Sequence, residues 1–236
     1  MTMNLRHERL LVIAPHADDE TAGAGGLISR VKADGGKAFV MVMSVGDLDH
    51  FTGTRQRVHG SQRANELAAA MKTLGADDFD IVMTDSNLHM RLDTLPRRDL
   101  VNLIESGSRL ATEKTKPTIM VLPAPSFNQD HEAVFKAGMT ACRPHLAKLK
   151  AFQRLVLVAD APQLAWGKER FFPNFYVDIS GIHLQKKLQA FACHKSQLRP
   201  SPHQGAVDAL RLLAESRGRE ISVEAAEAYE SLRAVL

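Results

Sequence analysis

The chain has 236 residues, 44% hydrophobic and 24% charged, a balance that suits a soluble globular protein with one large α/β domain or two small ones. Its net charge of +3 is mild, aromatics make up 6%, and basic residues occur in short groups among acids (Arg55, Arg57, Arg63; Arg97, Arg98; Lys186, Lys187), which is not the footprint of a nucleic-acid binder. No apolar run nears the roughly 20 residues of a membrane helix, the N-terminus has no signal-peptide core, and Cys142 and Cys193 form no disulfide framework, so a cytoplasmic protein is expected.

Leu11 to Ala14, closed by Pro15, reads as a buried strand, and His16, Asp18 and Asp19 follow on the connecting loop. Apolar residues at helical spacing over Thr21–Lys32 predict a helix stopped by Gly35 and Gly36. Ala38–Val45 is a second strand, and Gly46–Gln56 reads as a polar loop. A helix over Ser61–Leu74 buries Ala64, Leu67, Ala68, Met71 and Leu74 and ends on Gly75. Asp80–Met83 is a third strand, followed by a loop and a helix from Pro96 to Thr112. Thr118–Leu122 is a fourth strand, a helix runs from Asp130 to Pro144, and Leu155–Val158 is a fifth strand. Beyond it, Phe171–Ile179 reads as one more strand, and helices are expected at Ile182–His194, Ala206–Ser216 and Val223–Ala234.

Strands alternating with helices through residue 158 predict βαβ units and a parallel sheet, doubly wound in the order 3-2-1-4-5. The expected class is α/β, a Rossmann-like sheet sandwiched by helices. We expect a single domain over 1–236, with a core at 1–160 and a strand plus helical extension at 161–236.

In that order strands 1 and 4 are neighbours, and the crevice between them is the switch point where such sheets bind ligands. It receives His16, Asp18 and Asp19 from one loop and Asn128, Asp130 and His131 from the other. Two histidines and an aspartate make a three-ligand set that leaves a position open, as in a catalytic zinc site. Asp18 would then be free as a base, and Asp130 could accept a hydrogen bond behind the ligands. Structure alone offers a second explanation: acids favour helix N-termini, Asp130 can be an N-cap, and either histidine can be structural. A dinucleotide site fits poorly. Gly23, Gly25 and Gly26 miss the GxGxxG spacing because Ile28 holds the last position, and three acids would repel a pyrophosphate. Close helix–sheet packing explains these glycines better.

The segments His16-Ala17-Asp18-Asp19-Glu20 and Asn128-Gln129-Asp130-His131 resemble the two signatures of the PIG-L/LmbE-like family of metal-dependent N-acetylglucosaminyl deacetylases. Further similarity lies in Arg63-Ala64-Asn65-Glu66 with Leu74-Gly75. In the C-terminal part, Phe172-Pro173-Asn174, Lys195-Ser196-Gln197-Leu198, Pro202-His203 and Ala225–Tyr229 before Arg233 match a bacterial branch. The first signature usually reads alanine-histidine-proline, whereas Pro15 precedes His16 here and Ala17 follows. The second usually begins with histidine, where this chain has Asn128, whose amide can donate a hydrogen bond but cannot carry a proton.

The resemblance implies metal ligands His16, Asp19 and His131, with Zn2+ as the usual ion and Fe2+ as another divalent choice. It implies Asp18 as the base and Asn128 as an oxyanion donor, with Asp130 beside them. The substrate would be an N-acetylated sugar or glycoconjugate. Arg63 and His203 are candidate substrate contacts, with loop-holding and an exposed loop histidine as the alternatives. Asp47 could do either, and Glu20 reads as a structural acid. Two rivals stand: a metal-dependent amidase on a non-sugar N-acyl substrate, and a non-catalytic Rossmann-like binding module. The oligomeric state is open, a homo-oligomer included.

Overall fold

A computed structural model describes residues 4–51, 55–166 and 170–235. The elements in chain order are β1 (Arg9–Ala14), α1 (Asp19–Ala33), β2 (Lys37–Ser44), β3 (Leu48–Phe51), β4 (Arg55–Val58), α2 (Gly60–Leu74), β5 (Asp78–Met83), α3 (Arg97–Asn102) and α4 (Thr112–Thr115). They continue with β6 (Ile119–Pro123), α5 (Gln129–Ala141), β7 (Leu155–Ala159), β8 (Phe175–Asp178), α6 (Ile182–Phe191), α7 (Val207–Glu220) and β9 (Ala226–Ala234).

One seven-stranded sheet runs β5-β2-β1-β6-β7-β9-β8. Its first five strands are parallel and keep the predicted 3-2-1-4-5 order. Side chains alternate across the sheet, as strand geometry requires. Leu10, Val12 and Ala14 enter a core shared with α1 and α2, while Leu11 and Ile13 join Leu100, Ile104 and Val134 on the opposite face. Both faces of the central strands are thus covered, which explains their unbroken apolar runs. Glycine lets α1 lie close to the sheet: a Cβ on Gly26 would stand 2.5 Å from Ile179 Cγ2, and one on Gly23 would stand 2.8 Å from Ala159 Cβ. Among the described residues, no helix is long and apolar enough to cross a membrane.

The structure corrects three expectations. The last segment, expected as a helix over Val223–Ala234, is the strand β9, antiparallel to β7 and β8. Its Ala- and Glu-rich composition favours helix, but burial against the sheet overrides that propensity. The strand carries Glu227 inward, where one carboxylate oxygen meets Lys187 Nζ at 2.6 Å and the Gly26 N–H at 2.7 Å. The other oxygen accepts the Leu27 N–H and the Tyr229 hydroxyl, both at 2.7 Å. The C-terminal part therefore extends the sheet as well as adding helices. Second, the loop expected over Gly46–Gln56 contains a hairpin, in which Leu48 pairs with Val58 and His50 with Gln56. Residues 52–54 of that segment lie outside the described residues. Third, the helix expected from Pro96 to Thr112 is interrupted. α3 passes into a wider turn over Leu103–Gly107 and stops at Ser108, whose backbone is extended.

Candidate metal centre and cleft

β1 delivers the chain to the carboxyl edge of the sheet, where Pro15 to Asp18 form the turn into α1. Asp18 holds a φ of 115°, a conformation side chains rarely adopt. Its N–H is taken by Glu20 Oε2 at 2.9 Å. Glu20 is buried; its other oxygen accepts from Thr21 Oγ1 at 2.7 Å and meets His194 Nε2 at 3.0 Å. The clamped turn thus sends Glu20 into the interior, while Asp18 and Asp19 line the cleft.

Across the switch point, α5 begins with His131 in its first turn. His16 Nδ1 lies 3.4 Å and His131 Nε2 lies 3.2 Å from Asp19 Oδ2. One donor atom from each of the three falls within 4.8 Å of the others. His16 Nε2 stands 2.8 Å from Asp130 Oδ2, and the second Asp130 oxygen accepts the Leu92 N–H at 2.8 Å. The Asp130 carboxylate accepts this hydrogen bond, so Nε2 carries a proton, and Nδ1, which faces Asp19 and the cleft, is the nitrogen that would bind an ion once its own proton is displaced. Two imidazole nitrogens and a carboxylate with an open side are a donor set that suits a divalent ion such as zinc, so the residues fit the metal the resemblance implies.

Electrostatics separate the two adjacent aspartates. Burial, then the charge of Asp19, pushes the Asp18 carboxyl up to about 7, against the pull of His194 and Arg63. For Asp19, burial opposes ionisation, but His131 and His16 hold it well below the usual carboxylate range. Burial also opposes charge on His16, yet hydrogen bonds to Asp130 and Asp19 outweigh it and raise the ring to about 9. Neighbouring carboxyls pushed apart in this way are a pattern found where one binds and the other moves protons.

The remaining expected residues divide by access. Asn128 caps α5, its Oδ1 accepting the Asp130 N–H at 2.9 Å, so its NH₂ is the end left for the cleft it lines. His203 is exposed at the cleft; its Nδ1 accepts the Gly205 N–H at 2.9 Å, which leaves Nε2–H as a donor. Asp130 is fully buried with both oxygens engaged and lies behind His16, so direct contact with substrate, one use of a catalytic residue there, is closed to it. Arg63 reaches the cleft wall from α2, but one terminal nitrogen bonds His89 Nε2 and the other the Ala17 carbonyl at 3.2 Å. The second bond braces the turn between β1 and α1. Asp47 braces the hairpin, accepting the Gly60 N–H and Arg57 Nη2, each at 2.9 Å, and these contacts hold it down at about 2.

Sequence reasoning missed His89, on the loop after β5. Its ring stands edge-on to His16, with centroids 5.3 Å apart, and its Nδ1 lies 3.0 Å from Ser44 Oγ. Burial, then the charges of Arg63 and His16, lowers it to about 3, which keeps the ring neutral. The available signal was topological, since β5 ends at the same sheet edge. The stretch Lys195-Ser196-Gln197 also acquires a role. The Ser196 hydroxyl and N–H bond both oxygens of Glu66 on α2, at 2.7 and 3.0 Å, and Gln197 lines the cleft. The cleft holds about 240 Å³.

A doubly wound sheet with a His/Asp donor set at its switch point defines an α/β protein whose side chains could hold an ion beside the Asp18 carboxyl. The family model described as GlcNAc-PI de-N-acetylase matches residues 11–142, more than half of the chain, which therefore belongs to the PIG-L family. A diacetylchitobiose deacetylase of Thermococcus kodakarensis is 26% identical over 80% of this chain and 70% of its own length. A 1D-myo-inositol 2-acetamido-2-deoxy-alpha-D-glucopyranoside deacetylase of Streptomyces avermitilis is 35% identical over 32% of this chain; the match spans only 28% of that protein. Both relatives are named as deacetylases, hydrolases of amide bonds. Among solved structures, a conserved protein of Thermus thermophilus aligns with a TM-score of 0.74 at 22% identity, over 97% of this chain and 96% of its own. GalB, the 4-carboxy-2-hydroxymuconate hydratase of Pseudomonas putida, aligns with a TM-score of 0.72 at 17% identity, over 96% and 97%. These two likenesses show the fold, and the second shows that the fold carries more than one chemistry.

Proposed function

We propose that this protein is a zinc-dependent hydrolase that removes the acetyl group from an N-acetylglucosamine-type sugar or glycoconjugate. One observation carries the reading: His16, Asp19 and His131 bring three donor atoms together beside Asp18, whose carboxyl is pushed up to about 7, in a member of a deacetylase family. A divalent ion held by the three would supply Lewis acidity to water and to the amide carbonyl. Asp18 takes the proton of the attacking water and returns one to the sugar nitrogen as the C–N bond breaks. The Asn128 amide donates to the carbonyl oxygen as charge develops on it. Asp130 fixes the tautomer and angle of His16, while Arg63 and His89 hold the turn that presents Asp18. His203 Nε2–H is a donor for a sugar hydroxyl at the cleft mouth. We also read residues 1–160 and 161–236 as one domain, because β8 and β9 complete the sheet begun by the core.

The test is acetate release from free and nucleotide-linked N-acetylhexosamines, before and after chelation and after return of zinc. Release that is lost and restored supports the reading. Addition of water to an unsaturated acid, the chemistry named for the muconate hydratase, releases no acetate, so activity of that kind alone would overturn it.

A further inference from the structure

Two large aromatic side chains stand in water at the mouth of the cleft. Phe127 is 55% exposed and Trp166 is 75% exposed. They pack on each other edge to face, with centroids 5.2 Å apart and planes at 85°. Phe127 directly precedes Asn128 and lines the cleft itself. Trp166 closes the short turn Pro162–Trp166 after β7, whose first two residues, Pro162 and Gln163, also line the cleft. The pair is therefore continuous with the candidate metal centre, and much of both rings stands in solvent. Exposed apolar surface joined to a pocket marks a binding surface more often than chance solvent contact does.

The size of the cleft says what would lie there. At about 240 Å³, it falls below the roughly 300–1,000 Å³ typical of sites for drug-sized ligands. It suits one sugar ring whose acetamido group points at Asp18 and His131. Whatever that ring is attached to must leave over the rim. The C–H-rich face of a pyranose is apolar and flat, the surface that a fixed aromatic ring complements, and the edge-to-face contact holds both rings in place before a ligand arrives.

We propose that Phe127 and Trp166 form a subsite for a second pyranose ring, so that the substrate is an N-acetylated disaccharide or longer glycan rather than a free monosaccharide. This rests on the deacetylase reading and deepens it.

Trp166 is the chain's single tryptophan, so its emission reports on this subsite alone. The full-length protein is titrated with N,N′-diacetylchitobiose and with N-acetylglucosamine, and emission is read on rapid mixing. In parallel, kcat/KM for acetate release is compared for the two sugars in the parent, Phe127→Ala and Trp166→Leu. The disaccharide is expected to change the emission saturably and the monosaccharide not. The disaccharide-to-monosaccharide ratio of kcat/KM is expected to fall about tenfold in each variant, the scale of one lost ring contact. Equal emission changes with both sugars, or equal losses on both sugars in the variants, would overturn the subsite. So would an emission change that follows protein concentration and not sugar, which would make the pair a self-association contact. A disaccharide that shifts the emission but releases no acetate would support the subsite and overturn the deacetylase reading.

Discussion

His16, Asp19 and His131 stand where two adjacent parallel strands turn into α1 and α5, whereas the opposite cleft wall, with Phe191, Gln197, His203 and Gly205, comes from the end of α6 and the irregular stretch after it. Sheet topology alone brings the first group together, because any two neighbouring parallel strands end at the same edge. The second is held by side-chain clamps to distant elements: Ser196 to Glu66, His194 to Glu20, and, beneath them, Lys187 to Glu227. Chemistry and support are thus separated in the molecule, and each should respond to substitution in its own way.

The largest effect is expected at Asp18. Asn suits the positive φ of this position and keeps the size of the side chain, but it cannot take a proton. Asp18→Asn should lower kcat by about 10²–10⁴-fold, the usual worth of a positioned acid–base group, and leave metal content and melting temperature near the parent's. Near-parental turnover in an acetate assay would show that some other group is the base. The supporting region should behave in the reverse way. Glu227→Ala leaves the Lys187 ammonium buried without its partner, so unfolding by urea should show a loss of about 3–5 kcal/mol. Where the variant remains folded, metal affinity should be unchanged; a large fall in affinity would break the proposed separation. Asp130 supports the first region directly, through His16. Asp130→Asn weakens the contact that sets the His16 tautomer and should reduce metal affinity about 10–100-fold by isothermal titration, with little effect on stability.

The pH dependence sharpens the same division. Metal uptake must displace the proton that His16 holds below about 9. Affinity for zinc should therefore rise about tenfold per pH unit below that value and flatten above it. Asp18 acts as base only when ionised, and a cation held beside it lowers its pKa from about 7. The acid limb of kcat/KM should accordingly have its midpoint below 7. A limb centred above that value would assign the base to another group.

The clustering of His16, Asp19 and His131 was legible in the sequence because each half is local: an apolar strand ends at Pro15, and histidine and acids follow within four residues. The strand order was legible too, since alternating strands and helices leave few right-handed arrangements. β9 was not, because its residues prefer helix in isolation and become a strand only through pairing with β7 and β8. Glu227 was hidden for the same reason, with partners on α1 and α6 about 200 and 40 residues away. His89 lay in a loop without a motif, and only the strand it follows points to the site. Asp130 was seen but left between two uses, since no spacing reveals that both its oxygens are occupied. The Phe127–Trp166 pair joins residues from separate loops and carries no periodic signal.

In the proposed mechanism His16, Asp19 and His131 hold the ion on which acetate release depends. The most direct measurement is metal content by elemental analysis alongside acetate release, for the parent and for His131→Ala, each stripped and then titrated with zinc. Activity should rise in proportion to bound zinc up to about one ion per chain in the parent, with neither tight zinc nor activity in His131→Ala. Parental turnover by the stripped protein, or parental zinc affinity in His131→Ala, would contradict it.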